Sequence, residues 1–99
     1  MYARIGTFDV PPENLDSVVE LFRSDAVPLF RTCEGFLGYR AYVDRERGRL
    51  IGVSLWTTRA ALEASTETAR GAIARGAELG ARLVGEPQIL AQAFDEPGT

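Results

Sequence analysis

Histidine is absent from this 99-residue sequence, and cysteine and tryptophan each occur only once. Without histidine, the chain has no Ser/His/Asp or Cys/His nucleophilic site, no proximal histidine for haem and no histidine-containing metal site. The acidic residues form no DxDxDG-type loop, and we expect neither a metal ion nor another cofactor. The single cysteine, Cys33, cannot form an internal disulfide, which indicates a reducing compartment.

Long apolar runs and clusters of basic residues are missing as well. No stretch approaches the roughly 18 apolar residues that cross a bilayer, and the N-terminus has no basic segment followed by an apolar one. Eleven basic residues are scattered among fourteen acidic ones, which gives a net charge of -3 and no basic stripe. We therefore predict a cytoplasmic protein that has neither nucleic acid nor a membrane as a partner.

The hydrophobic pattern predicts one domain over residues 1–96 and a disordered tail over residues 97–99. The predicted order is strand, helix, strand, strand, helix, strand, with a hairpin in the middle. This βαββαβ order is typical of a ferredoxin-like α+β fold, in which a four-stranded antiparallel sheet carries two helices on one face. The predicted strands are 2–10, 36–43, 49–56 and 87–94, and the predicted helices are 11–33 and 57–85.

Single residues predict local features of these elements. Pro28 lies within the first helical pattern and predicts a kink near Asp25 to Val27, because proline cannot donate to the carbonyl four residues back. Gly48 in the polar turn DRERG suits a positive φ. Thr57 or Thr58 can cap the second helix.

Strand side chains alternate between the two faces of a sheet. In the stretch RLIGVSLW, this places Trp56 on one face with the small residues Gly52 and Ser54, and predicts a cavity beside an aromatic wall. The same alternation places Arg4 and Arg40 on the Trp56 face.

The opposite face is apolar and would be uncovered in a monomer. An exposed apolar sheet of this size is typical of an interface, and a chain this short gains stability from a partner subunit. We therefore expect a homodimer that forms through this face. The predicted interface residues are Ile5, Leu37, Tyr39, Val43, Ile51, Val53, Leu55 and Ile89.

The candidates for binding a small molecule are Trp56, Arg4, Arg40, Tyr42, Ser54 and Thr66. Tryptophan can stack on an aromatic ligand, arginine can bind a carboxylate or phenolate, and hydroxyl groups can donate hydrogen bonds. Each candidate also has a purely structural alternative: core packing for the tryptophan, ion pairs at the rim for the arginines and local hydrogen bonds for the hydroxyls.

Two stretches, EGFLGY at 34–39 and DRERGRLIGVSLWTTRAALEAS at 44–65, resemble the antibiotic biosynthesis monooxygenase family of dimeric α+β barrels. The resemblance implies a homodimer in which two sheets face each other, with a pocket between helices and sheet in each subunit. It also implies binding of a small aromatic or quinone-like molecule, with oxidation that needs no cofactor.

The residues that the resemblance implies for catalysis differ in this chain. Family members that oxidise polycyclic phenols without metal or flavin have asparagine at the position of Gly52 and tyrosine at that of Leu62. Haem-degrading members have histidine at the position of Thr66. The tryptophan alone is shared, at position 56. The alternative is therefore a non-catalytic dimeric ligand-binding or accessory module that has lost these polar residues.

Overall fold

The structure is a computed structural model, and it describes residues 1–98. The last residue of the predicted tail, Thr99, lies outside the described residues. The strands are β1 (Tyr2–Asp9), β2 (Phe36–Asp44), β3 (Arg49–Trp56), β4 (Arg82–Leu83) and β5 (Gln88–Ala91). The α-helices are α1 (Leu15–Leu21), α2 (Val27–Arg31), α3 (Arg59–Ala64) and α4 (Thr66–Ala77). Among residues 1–98, no helix combines the length and the apolar character needed to cross a membrane.

The strands form one antiparallel sheet in the order β2-β3-β1, and β4 and β5 both pair with the free edge of β1. Residues of β3 alternate strictly between buried and half-buried, because the helices cover only one face of the sheet. The predicted ferredoxin-like α+β fold is confirmed. Its fourth strand is divided into the two short strands β4 and β5.

The first helical segment contains the predicted irregularity. A π-helical turn, Phe22–Ala26, lies between α1 and α2 and ends two residues before Pro28. Pro28 has no N–H to donate to the carbonyl of Ser24. The helix widens to a π-helical turn at this point, where the regular hydrogen bond cannot form. The side chain of Asp25 in this turn pairs with Arg75 of α4 and ties the two segments together.

The second predicted helix, 57–85, is observed as α3 and α4, and the prediction is wrong beyond Ala77. It begins as predicted, with the Thr58 hydroxyl accepting a 3.0 Å hydrogen bond from the N–H of Ala61. Gly80 then adopts a φ of 87°, and its N–H and that of Ala81 donate to the carbonyls of Ala77 and Gly76. This arrangement is the Schellman motif that ends helices, so Gly80 terminates α4 where the pattern predicted a helical residue.

The hairpin contains a β-bulge that the sequence analysis missed. Phe36 pairs with Trp56, and Gly38, two residues later, pairs with Leu55, which is only one residue away from Trp56. Tyr39 therefore pairs with Ser54. One additional residue in a strand inverts the alternation of every residue that follows it. Tyr39 therefore lies on the helix-covered face, which corrects the prediction that it belongs to the interface.

The bulge also corrects the predicted positions of two candidate ligand-binding residues. Arg40 pairs with Val53 and Tyr42 pairs with Ile51, so both lie on the uncovered face. The prediction that they share the Trp56 face is wrong. Val43 and Ile89 were also predicted for the uncovered face. Val43 pairs with Leu50 and Ile89 pairs with Arg4, and both partners lie on the helix-covered face, so this prediction is wrong.

Two groups of buried side chains pack between the helices and the sheet. The first joins β1, α1 and β3 and consists of Phe8, Val10, Leu15, Val18, Phe22, Leu50 and Ala81. The second joins α2, α3, α4 and the end of β3 and consists of Ala26, Phe30, Trp56, Leu62, Ala69 and Ala72. The candidate site lies where these two groups meet.

Candidate functional site

A cavity of about 40 Å³, which we call the inner cavity, lies between the two buried groups. Its polar lining consists of Arg4, Tyr39 and Ser54, and its aromatic walls are Phe8, Phe22, Phe30 and the ring of Tyr39. A water molecule requires roughly 10–15 Å³ of such volume. The inner cavity can therefore hold a few water molecules or one polar group of a ligand, and a whole ring does not fit.

Arg4 is the charged group of this site. It is 8% exposed, and among residues 1–98 no carboxylate lies within ion-pair distance of it. Its terminal nitrogens donate to Ser65 Oγ (3.0 Å), to the Leu62 carbonyl (2.8 Å) and to Thr66 Oγ1 (3.3 Å). Burial lowers the pKa of Arg4, against a smaller opposing effect of Cys33. The guanidinium nevertheless stays charged at neutral pH.

The break between α3 and α4 supplies the acceptors for Arg4. Ser65 is fully buried at this break, and its hydroxyl donates to the carbonyl of Leu62 at 2.6 Å while accepting from Arg4. A serine that bonds to nearby backbone competes with the regular helix. The sequence analysis did not select Ser65, although a serine within an otherwise apolar helical stripe was a signal for it.

Trp56 is fully buried behind the inner cavity and does not line it. Its indole N–H donates to Ser54 Oγ at 2.9 Å, and its ring packs edge-on against Phe30 and Phe36. Ser54 does line the cavity. The tryptophan therefore orients a cavity hydroxyl, and the predicted aromatic wall is formed by phenylalanine and tyrosine rings.

Tyr39 was missed because the bulge reverses its face. Its hydroxyl lies over Gly52, and burial raises the pKa of Tyr39 to about 12. A glycine inside a strand often marks a bulge. Gly38, which has no neighbouring atom within 4 Å of a β-carbon built on it, was the available signal.

Two open grooves flank the inner cavity. The β2 groove, about 660 Å³, shares Phe22 and Tyr39 with the cavity and also contains Val27, Arg31, Phe36 and Val43. The second groove, about 520 Å³, shares Arg4 and Ile73 with the cavity and also contains Thr66. Of the six predicted residues, Arg4, Ser54, Thr66 and Trp56 thus surround the site, whereas Arg40 and Tyr42 lie elsewhere.

Within residues 1–98, no three Cys, Asp or Glu side chains are grouped closely enough to hold a metal ion.

The sequence profile of the family described as "Antibiotic biosynthesis monooxygenase" matches residues 1–71. The chain belongs to this family. The predicted resemblance is therefore confirmed. An uncharacterized protein of Mycobacterium tuberculosis (strain H37Rv) is 33% identical over 97 residues, which is 96% of this chain and 43% of the relative. The chain thus spans less than half the length of the curated relatives that it matches.

Two solved oxygenase structures have the same fold as this chain. The ActVA-Orf6 monooxygenase of Streptomyces coelicolor, solved in complex with nanaomycin D, has a TM-score of 0.72 and 19% identity over 98% of this chain and 92% of its own. SnoaB, a cofactor-independent oxygenase from Streptomyces nogalater solved as a mutant, has a TM-score of 0.70 and 17% identity over 98% and 97%. At such identities the likeness shows the fold, and the chemistry must be argued from this chain's own residues.

Proposed function

We propose that this chain forms a homodimeric cytoplasmic oxygenase in which residues 1–96 act as one domain. Each protomer binds a small aromatic molecule that carries a phenol or quinone oxygen, and oxidises it with molecular oxygen without a bound cofactor. The observation that carries the proposal is the buried guanidinium of Arg4, which lines the inner cavity and has no carboxylate partner in the described chain.

A buried charge is unfavourable unless an opposite charge or several hydrogen bonds compensate it. Neutral oxygens of the α3–α4 break hydrogen-bond Arg4, but its positive charge remains uncompensated. A phenolate oxygen in the inner cavity would supply the missing negative charge. The guanidinium would in turn lower the pKa of that phenol and favour its ionised, electron-rich form.

An electron-rich phenolate can reduce molecular oxygen directly. For a hydroxylated anthrone, the ring CH2 group becomes a carbonyl, one oxygen atom enters the product and the other leaves as water. The protein contributes desolvation and orientation in this mechanism. Because the inner cavity takes only the oxygen-bearing edge, the rings of the ligand would lie in the adjoining β2 groove.

The uncovered face of the sheet supports the homodimer. Its central strands present Ile5, Ile51, Val53 and Leu55, which are only half-buried in the single chain. Leu90 adds to this face opposite Ala3 and is 46% exposed. A second copy of the chain would cover this apolar surface, in the arrangement that the family resemblance implies.

Oxygen uptake with a panel of hydroxylated anthrones and quinols tests the proposal. The wild-type chain should consume oxygen faster than buffer, and both Arg4→Met and Trp56→Phe should lose most of this rate. Arg59→Met is the matched control, because Arg59 pairs with Glu63 on the surface of α3, away from the cavity and both grooves. Wild-type uptake equal to that of buffer would rule out the oxygenase.

The alternative is a dimeric ligand-binding or accessory module without catalysis. The small inner cavity and the apolar residues Gly52 and Leu62 favour it, because the resemblance implies polar residues at both positions. Binding of the aromatic panel measured by calorimetry, with no oxygen uptake, would support this module over the oxygenase.

A further inference from the structure

Tyr39 lines the inner cavity although it belongs to an edge strand of the sheet. The bulge in β2 turns the side chain toward the helices and pairs the residue with Ser54. The ring of Tyr39 stacks on that of Phe30, with centroids 6.0 Å apart and planes 17° from parallel. This packing holds the ring in one orientation and brings its hydroxyl over Gly52.

Gly52 provides the space that this hydroxyl occupies. A β-carbon at position 52 would overlap the hydroxyl oxygen of Tyr39 and lie 3.0 Å from its Cζ atom. The residue that pairs with Gly52 in β2 is Ala41, which is also small. The hydroxyl group of Tyr39 therefore occupies the space that a side chain at position 52 would take.

Tyr39 is a hydrogen-bond donor without a protein acceptor. The side-chain hydrogen bonds of the inner cavity run from Arg4 to the α3–α4 break and from Trp56 to Ser54, and no bond to the Tyr39 oxygen is found among residues 1–98. Its raised pKa keeps the phenol protonated throughout the neutral range. Tyr39 is half-buried, so an acceptor on a bound molecule would complete a hydrogen bond that the protein itself leaves open.

The position of Tyr39 also links two spaces. Together with Phe22, Tyr39 lines both the inner cavity and the much larger β2 groove. A planar ligand in the groove would therefore meet Tyr39 where the groove adjoins the inner cavity, whose lining also includes Arg4.

We infer that Tyr39 selects the ligand by donating a hydrogen bond from its hydroxyl to a carbonyl or phenolate oxygen of an aromatic molecule lying in the β2 groove. Gly52 is the residue that makes this donor position possible. The inference rests on the proposed function for the aromatic class of the ligand, but it requires binding only and no oxidation.

A matched pair of probes tests the inference: 1-indanone, an aromatic ketone, and indane, the same ring system without oxygen. Calorimetry on the complete chain should show that the wild type binds 1-indanone more tightly than indane. Tyr39→Phe should weaken binding of 1-indanone roughly five- to tenfold and leave indane unchanged, because it removes one neutral hydrogen bond and keeps the ring. Tyr42→Phe, on the uncovered face, should change neither.

Three results would overturn the inference, and each has a distinct meaning. Equal losses for both probes in Tyr39→Phe would show that Tyr39 only packs. A ketone preference that survives Tyr39→Phe and disappears in Arg4→Met would assign the donor to Arg4 and leave the proposed function intact. Failure of the wild type to bind either probe would overturn the inference alone, because oxygen uptake on the anthrone panel tests the proposed function separately. A ketone preference that depends on Tyr39, without oxygen uptake on the anthrone panel, would support the inference and exclude the oxygenase.

Discussion

The hydroxyl of Tyr39 and the α-carbon of Gly52 are in direct contact across the β2–β3 hairpin, with no room for a β-carbon between them. The contact depends on the bulge, because regular alternation would place Tyr39 on the opposite face of the sheet. It also gives Gly52 a definite role. The position at which the family resemblance implies an asparagine side chain is here occupied by the hydroxyl group of a neighbouring strand.

Gly52→Ala should lower the free energy of unfolding by roughly 1–3 kcal/mol, because the added methyl group overpacks a filled position. Urea denaturation measures the change. Gly38→Ala is the matched control, since a β-carbon at that position meets no atom within 4 Å, and it should leave stability nearly unchanged. In a Tyr39→Phe background the cost of Gly52→Ala should fall. Equal costs at the two glycines would contradict the contact.

The buried phenol should make stability depend on alkaline pH. Burial raises the pKa of Tyr39 to about 12, so between about pH 10 and pH 12 the unfolded chain releases a proton that the folded chain retains. The stabilisation is complete below the pKa of the unfolded chain and is lost as the pH rises through the folded value, by about 2–3 kcal/mol in total. Across this range, the free energy of unfolding of the wild type should therefore fall by that amount relative to that of Tyr39→Phe. Parallel curves would show that the phenol is not buried.

The uncovered sheet face should control the oligomeric state. Val53→Asp places a charge at the centre of this face, beside Ile5, and should convert a dimer into a chain of 10.8 kDa. Light scattering after size exclusion measures the mass. Leu29→Asp is the control, because Leu29 is 43% exposed on α2 and lies away from the sheet. A wild-type chain that already has the mass of a monomer would refute the dimer.

Periodicity predicted the fold because each element carries its own signal. The apolar spacing of the helices, Pro28 beside the π-helical turn and the cap at Thr58 are local effects that a sequence records directly. The end of α4 was missed because Gly71, Gly76 and Gly80 recur at similar spacing along the predicted helix. Of these three glycines, only Gly80 adopts a positive φ. That choice depends on packing against Pro11, which is distant in the sequence.

The site was predicted only as far as strand alternation was regular. Arg4 and Ser54 were placed correctly because β1 and β3 pair without interruption over their whole length. Beyond the bulge in β2, the same alternation wrongly placed Arg40 and Tyr42 on the helix-covered face and Tyr39 on the uncovered face. A one-residue slip exchanges the two faces and leaves the sequence pattern unchanged, so only the three-dimensional register could correct it.

Arg4→Met should separate function from stability. The guanidinium is a buried cation without a carboxylate partner, so Arg4→Met leaves no opposite charge unpaired and removes the cost of burying the cation. The carbonyl of Leu62 would still accept from the hydroxyl and the N–H of Ser65. We therefore expect the free energy of unfolding in urea to change by less than about 1.5 kcal/mol, while binding of phenolate ligands is lost. A loss of stability greater than about 3 kcal/mol would instead identify Arg4 as a structural residue that holds the α3–α4 break to the sheet, and would remove the main support for an anion-binding cavity.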